Sequence, residues 1–510
     1  MATHDTASHP AHNEPLTIPS DKADRLFGVS AAVTAAGLVL AFVFAIVFGV
    51  RRLMLSYLVS YMFVLSIALG ALVFVLLQHA TKAGWSVNVR RVPELLTRLF
   101  PLLAILVIPI IVTFLFPGTE GDRVEGKGPL LYPWAMYQVD HGDDSYAVDE
   151  EVEEQAGSVS EDITGDSTIE ATMSGIANPA YDPDSAEGHL LTDPRQNLTV
   201  ERAEHHAYHI DPLTEGKLGW LNRPFFMARI VVYFAAWIAI AGFYYRTSVR
   251  QDGDGDPERT NAMTRWSYIN LVILGLTLTF ASFDLVMSLD PHFFSTIFGG
   301  YIFSGGMVGF FAVTILAYQF LRMAGLLKES VTVEHYHDLG KWLFAFTFFW
   351  GYIAFSQYML IWYANIPETT YWFGVRGATT IPANLGFGAW GDDPDAPAQV
   401  GWWAVVSMTL LVGHLLIPFA ALLSRHVKRN LTLLGFWAGW LLVMHWIDLY
   451  WLIMPEMLVG GWQLLPLTEI ACAMMVCGAS VAWIAREMKI VKLRPAADPR
   501  AKESLAFHNI

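Results

Sequence analysis

The stretch MLSYLVSYMFVLSIALGALVFVLLQHA (54–80) decides the fold. It holds no Asp, Glu, Lys or Arg, and about 20 such residues in a helix span the hydrocarbon core of a bilayer. Nine further runs of similar character flank it. Together the predicted transmembrane helices are 27–50, 54–80, 99–117, 226–246, 265–288, 297–323, 339–364, 401–424, 431–455 and 464–486. The class is therefore an all-α integral membrane protein. Ten spans are an even number, so both chain ends lie on one side.

Composition agrees. Only 15% of the residues are charged and 54% are hydrophobic, whereas soluble chains carry roughly 25% charge. Two cysteines, Cys472 and Cys477, fall in one apolar run. They are too few for a disulfide framework or for an iron–sulfur cluster held by this chain alone, and no CxxCH motif exists to attach a c-type haem. No basic patch points to nucleic acid.

The net charge of −15 is local. Residues 118–225 hold 23 Asp and Glu against 6 Lys and Arg, or −17, leaving +2 for the rest. The organisation is thus a polar N-terminus (1–26), helices one to three (27–117), an acidic insertion (118–225), helices four to ten (226–486) and a C-terminal tail (487–510). Of the 32 Lys and Arg, 22 lie in segments on the side of the chain ends. The positive-inside rule then places both termini in the cytoplasm and the insertion outside. Its part 140–170 has high charge and little apolar material, a composition expected to stay mobile. It suits either steering of a basic soluble electron carrier or simple solvation. Loop 365–400, with Tyr371, Trp372, Phe373 and Trp390, is expected to pack on the body.

Ionisable groups inside a bilayer are costly and need a reason. Asp284 lies near the outer end of the fifth helix. His445 and Asp448 share one face of the ninth, and Glu469 opens the tenth. His414 sits mid-way along the eighth, four residues before Pro418, which removes the helical donor for the carbonyl of residue 414. Tyr352, Ser356, Gln357 and Tyr358 lie in the seventh helix. One reading makes these an outer half-channel for protons with His414 as its inner end, and His79, His335, His337, Asp338 and Lys341 a cytoplasmic mouth. The other makes them hydrogen-bonded glue between helices. A b-type haem between His414 and His445 and a metal pair at His205 and His209 are further alternatives. Gly305 and Gly309 form a GxxxG spacing in the sixth helix, suited to close helix packing or to a subunit contact.

Residues 56–91 resemble the opening helix pair of polysulfide-reductase-type membrane subunits. SFDLVMSLDPHFFSTIFGGYIFSGG (282–306), HDLGKWLFAFTFFWGYIAFSQYMLIWYANIPETTYWF (337–373) and DPRAKESLAFHN (498–509) are similar to the F subunit of alternative complex III, a bacterial quinol:electron-acceptor oxidoreductase. The resemblance covers most of 25–510 but not the acidic insertion. It implies two four-helix bundles plus two flanking helices, in the bacterial inner membrane. It implies a sister membrane subunit of the same fold that holds the quinol, together with small membrane subunits. Multihaem and monohaem cytochrome c subunits and an iron–sulfur protein subunit would carry haem c and iron–sulfur clusters. This subunit would hold no redox centre and would serve proton translocation or conformational coupling. The alternatives are a quinol-binding subunit of the same complex, using Asp284 and His445, and more distantly a stand-alone secondary transporter.

Overall fold

The computed structural model describes residues 14–115, 131–138, 212–378, 398–456 and 466–508. Among them no strand occurs, and ten helices are long and apolar enough to cross a membrane. They are α1 (Ser20–Phe48), α2 (Val50–Ala80), α3 (Arg91–Val112), α4 (Arg223–Asp254), α5 (Pro257–Leu285), α6 (Phe298–Met323), α7 (Val333–Ala364), α8 (Trp402–Leu423), α9 (Leu431–Ile453) and α10 (Leu467–Met488). The stretch 140–170, the pair His205 and His209, and Trp390 lie outside the described residues.

Several helices overrun their apolar windows, because polar caps extend them past the hydrophobic run. The Asn222 side chain accepts from Phe225 N at 2.9 Å ahead of α4, and Asp256 accepts from Glu258 N at 2.9 Å ahead of α5. Each satisfies an otherwise orphaned N–H of the first turn. Thr332 and His335 form a capping box on α7. α3 begins eight residues before its apolar window, and its regular geometry is interrupted around Thr97–Leu99 and Val107. α1 passes into α2 through Gly49 alone, whose φ of +90° disfavours any residue with a Cβ.

α2 is buried around its circumference. It packs against α5, α6, α9 and α10, while α1 packs mainly along α10. Gly306 lets α6 close on α2: a Cβ there would stand 2.8 Å from the Ser66 carbonyl oxygen. The two chain ends share one face. Leu493 N donates to Leu16 O at 2.6 Å, Lys22 reaches Ala324 O, and Glu14 accepts from Ser330 Oγ. The tail ends in a short helix, α11 (Ala501–Leu505).

The borders of the acidic insertion pack on the opposite, insertion face. Phe114, Tyr132, Trp134 and Phe226 form one aromatic cluster with ring centroids 5.0–5.7 Å apart. Trp372 and Phe373, from the loop expected to pack, are buried. Trp372 stacks on Phe293 at 4.3 Å, and Arg376 lies over its ring at 3.5 Å.

Candidate functional site

The single outer cluster expected from Asp284, His445, Asp448 and Glu469 resolves into three groups that share no hydrogen-bond partner. Two are closed ion pairs. Asp284 is fully buried and accepts from Arg229 Nε at 2.9 Å and Nη2 at 2.8 Å, from Tyr233 Oη at 2.7 Å and from Trp220 Nε1 at 2.9 Å. The guanidinium also lies 4.1 Å over the Trp220 ring. Glu469 is likewise buried, with Arg52 Nε at 3.1 Å, Arg52 Nη2 at 3.3 Å and Ser56 Oγ at 3.0 Å. Ser56 stands ten residues before Ser66 on α2, about 15 Å along the helix. That separates Glu469 from the histidine that bonds Ser66.

The third group differs in kind. Asp448, on α9, accepts from Tyr301 Oη of α6 at 2.5 Å and from Trp350 Nε1 of α7 at 3.1 Å. Both donors are neutral, and neither is an arginine or lysine. His445, one turn earlier, bonds Ser66 Oγ of α2 through Nε2 at 2.9 Å. Its Nδ1 has no partner among the described residues. The His414 ring of α8 lies flat on Trp350, with centroids 3.9 Å apart and planes 21° from parallel. Both its nitrogens are buried without a partner among the described residues. One indole thus touches the imidazole with its face and the carboxylate with its N–H.

The sequence around each residue explains this geometry. α8 widens into a π-helix at Leu410–Leu416, where Ile417 N donates five residues back, to Val412 O. In that register Pro418 faces Gly413 rather than His414. The Gly413 carbonyl is met by Trp440 Nε1 of α9, which donates to it at 2.7 Å. The GxxxG spacing also acquires a specific use. A Cβ on Gly305 would stand 3.2 Å from His445 Nδ1, and one on Gly309 would stand 2.7 Å from His445 Cδ2. The two glycines cradle the imidazole within the chain. Gly309→Ala is expected to push His445 off Ser66 and destabilise the fold by about 1–3 kcal/mol. A thermal unfolding midpoint equal to wild type in detergent would contradict the cradle.

The remaining candidates separate. Gln357 is buried and accepts from Ser295 Oγ at 3.3 Å. Tyr358 packs edge-on against Phe373. Tyr352 is 58% exposed on the outer surface of α7, which removes it from any interior path. The expected cytoplasmic mouth also divides. Asp338 pairs with Lys341 at 2.5 Å one turn along α7, and His337 faces that pair and the basic Lys428 and Arg429. His335 is spent on structure: Nδ1 meets Thr332 Oγ1 at 3.0 Å and Nε2 meets Ser504 Oγ at 3.1 Å. His79 is fully buried, against Tyr244 at 5.4 Å, and shares no partner with His337. Enclosure by packing, rather than position at a helix end, sets its surroundings.

Sequence reading missed Arg229, Arg52, Tyr301, Trp350 and Ser66. Arg229 carried a signal, as a basic residue inside the predicted span 226–246, which calls for a buried acid. Tyr301 and Trp350 carried none, being ordinary aromatics in apolar helices. For haem, the geometry gives little support: His445 Nε2 is engaged by Ser66 and one face of His414 is covered by Trp350. Among the described residues no three His, Cys, Asp or Glu side chains gather as a metal site needs. No protein-family model matches this chain, and no curated protein matches it.

Proposed function

We propose that this chain is a membrane subunit of a respiratory quinol:electron-acceptor oxidoreductase of the alternative complex III type. Its own chemistry would be proton exchange at Asp448, His445 and His414. One observation carries the proton reading. Asp284 and Glu469 are each fixed by a bidentate guanidinium, whereas Asp448 has neutral donors, one of which, Trp350, stacks on His414, and three nitrogens of His414 and His445 have no partner among the described residues. A buried carboxylate held by arginine has its charge compensated where it stands. One held by a phenol and an indole can change its protonation state at modest cost. The imidazoles beside it can accept the proton, and water or a rearranged Trp350 would complete the relay.

The wider assignment rests on the resemblance of segments 56–91, 282–306, 337–373 and 498–509. On that reading the subunit sits in the bacterial inner membrane with both termini cytoplasmic and the acidic insertion periplasmic. Its helices form two four-helix bundles with two flanking helices. Quinol sits in a sister membrane subunit, and haem c and iron–sulfur clusters in neighbouring subunits. Asp448→Asn is the test, because it keeps the side-chain shape but not the titrating proton. We expect subunit assembly and haem content to be unchanged and protons released per electron to fall by at least half. An unaltered ratio would sink the proposal.

A second reading has one observation in its favour. An apolar cleft of about 260 Å³ opens on the insertion face between Trp220, Phe280, Phe283, Met287 and Phe293, with Lys217 and Asp290 at its edge. It is slightly below the volume of common ligand pockets, enough for a single ring. A quinol headgroup there would make this chain a quinol-binding subunit. Crosslinking of a photoreactive quinone to residues 280–294 would establish that reading, and crosslinking confined to another subunit would dismiss it.

A further inference from the structure

The face that carries the chain ends holds a second set of uncompensated polar atoms, remote from Asp448. His79 and Ser66 lie thirteen residues apart on α2, about 20 Å along its axis. His79 faces two guanidinium groups, Arg90 from the segment between α2 and α3 and Arg500 from the C-terminal tail. Both meet Asp498, Arg90 Nη2 at 2.6 Å and Arg500 Nε at 3.9 Å. Both ring nitrogens of His79, Nη1 of Arg90 and Nη2 of Arg500 are buried, and none has a hydrogen-bond partner among the described residues. An orphaned buried donor or acceptor costs about 1–3 kcal/mol, so these four, on three side chains within electrostatic reach of one another, each need a partner.

The chemistry identifies that partner. The surrounding charges balance: Arg90, Arg91 and Arg500 stand against Glu94, Asp252 and Asp498. The place therefore does not favour a net anion. The guanidinium nitrogens only donate. A neutral imidazole donates at one nitrogen and accepts at the other. An anion could satisfy the donors but not the imidazole lone pair, whereas two or more waters satisfy both.

The tail closes this place. Asp498 Oδ2 pairs with Arg90 Nη2 at 2.6 Å, both side chains being fully buried. Burial works against the Asp498 charge, but the Arg90 guanidinium holds its carboxyl below the usual range. Ser504 of α11 donates to Trp85 O at 2.7 Å and meets His335 Nε2. Phe507 covers Trp85 and His335 with centroids 6.2 and 5.8 Å away. We infer that His79, Arg90 and Arg500 enclose an ordered water cluster, and that the C-terminal tail is its lid, latched by the Arg90–Asp498 ion pair.

Radiolytic hydroxyl-radical footprinting of the purified full-length chain tests this, because bound water labels adjacent side chains even where bulk solvent does not reach. In the wild type we expect prompt oxidation of His79 and slow incorporation of oxygen from added H₂¹⁸O. With Asp498→Asn the oxygen exchange should speed at least tenfold. Ser504→Ala, which releases α11 without touching the ion pair, should speed it in the same direction and serves if the first variant does not fold. An unlabelled His79 would mean a dry or anion-filled site and overturn the water cluster. Labelling with equal exchange in wild type and variants would overturn the lid. Neither readout depends on whether protons move at Asp448.

Discussion

Asp284→Asn should destabilise the folded chain by about 3–5 kcal/mol, the usual consequence of leaving one member of a buried ion pair alone. The carboxylate receives four hydrogen bonds, two of them from Arg229. An amide replaces one oxygen with a donor, which then confronts a donor. The guanidinium stays buried under Trp220 and Phe225 with its charge uncompensated. The measurement is the unfolding midpoint in detergent, together with the yield of the assembled complex. Adding Arg229→Met to Asp284→Asn should recover part of the loss, since removing both charges is far cheaper than removing one. Were Asp284→Asn to unfold like wild type and selectively lower proton release, Asp284 would belong to a proton path and the ion-pair reading would be wrong.

His414→Phe should behave in the opposite way. The phenyl ring keeps the stack on Trp350, worth about 0.5–1.5 kcal/mol, and removes two buried nitrogens that lack partners among the described residues. If nothing compensates them in the folded state, stability should stay level or rise by about 1–3 kcal/mol. Proton release coupled to electron transfer should be abolished. A residue that costs stability where it stands, and whose removal stops one activity, is there for that activity. A variant that unfolds earlier and keeps its proton stoichiometry would make His414 a packing residue.

The membrane class was legible at once, because a charge-free run long enough to span lipid has few other uses. The candidate acids and histidines were also legible one by one, since each interrupts such a run. Their grouping was not. Asp284, Asp448 and Glu469 lie at comparable depth by residue count, and depth says nothing of which helix stands beside which. Arg229 and Arg52 decide that two of the three are ion pairs, one from the neighbouring helix α4 and one from α2, 417 residues before Glu469. The π-segment was hidden for a different reason. Pro418 announced a defect in α8, but neither the extra residue in its turn nor the Trp440 indole that meets the Gly413 carbonyl. Tyr352 shows the limit of counting polar residues along a helix: one step of 100° separates it from the buried Gly351 and Ile353.

The pairing of α1 with α10 bears on how the protein is made. A ribosome adding about 5–20 residues per second needs roughly twenty seconds to a minute and a half between releasing the first helix and the last. Throughout that time the groove at Gly37, which later meets Met474 and Met475, faces lipid or an insertion factor. Biogenesis thus contains an obligatory wait, and a chain truncated before residue 467 should leave its first helix unpartnered and open to quality-control proteases.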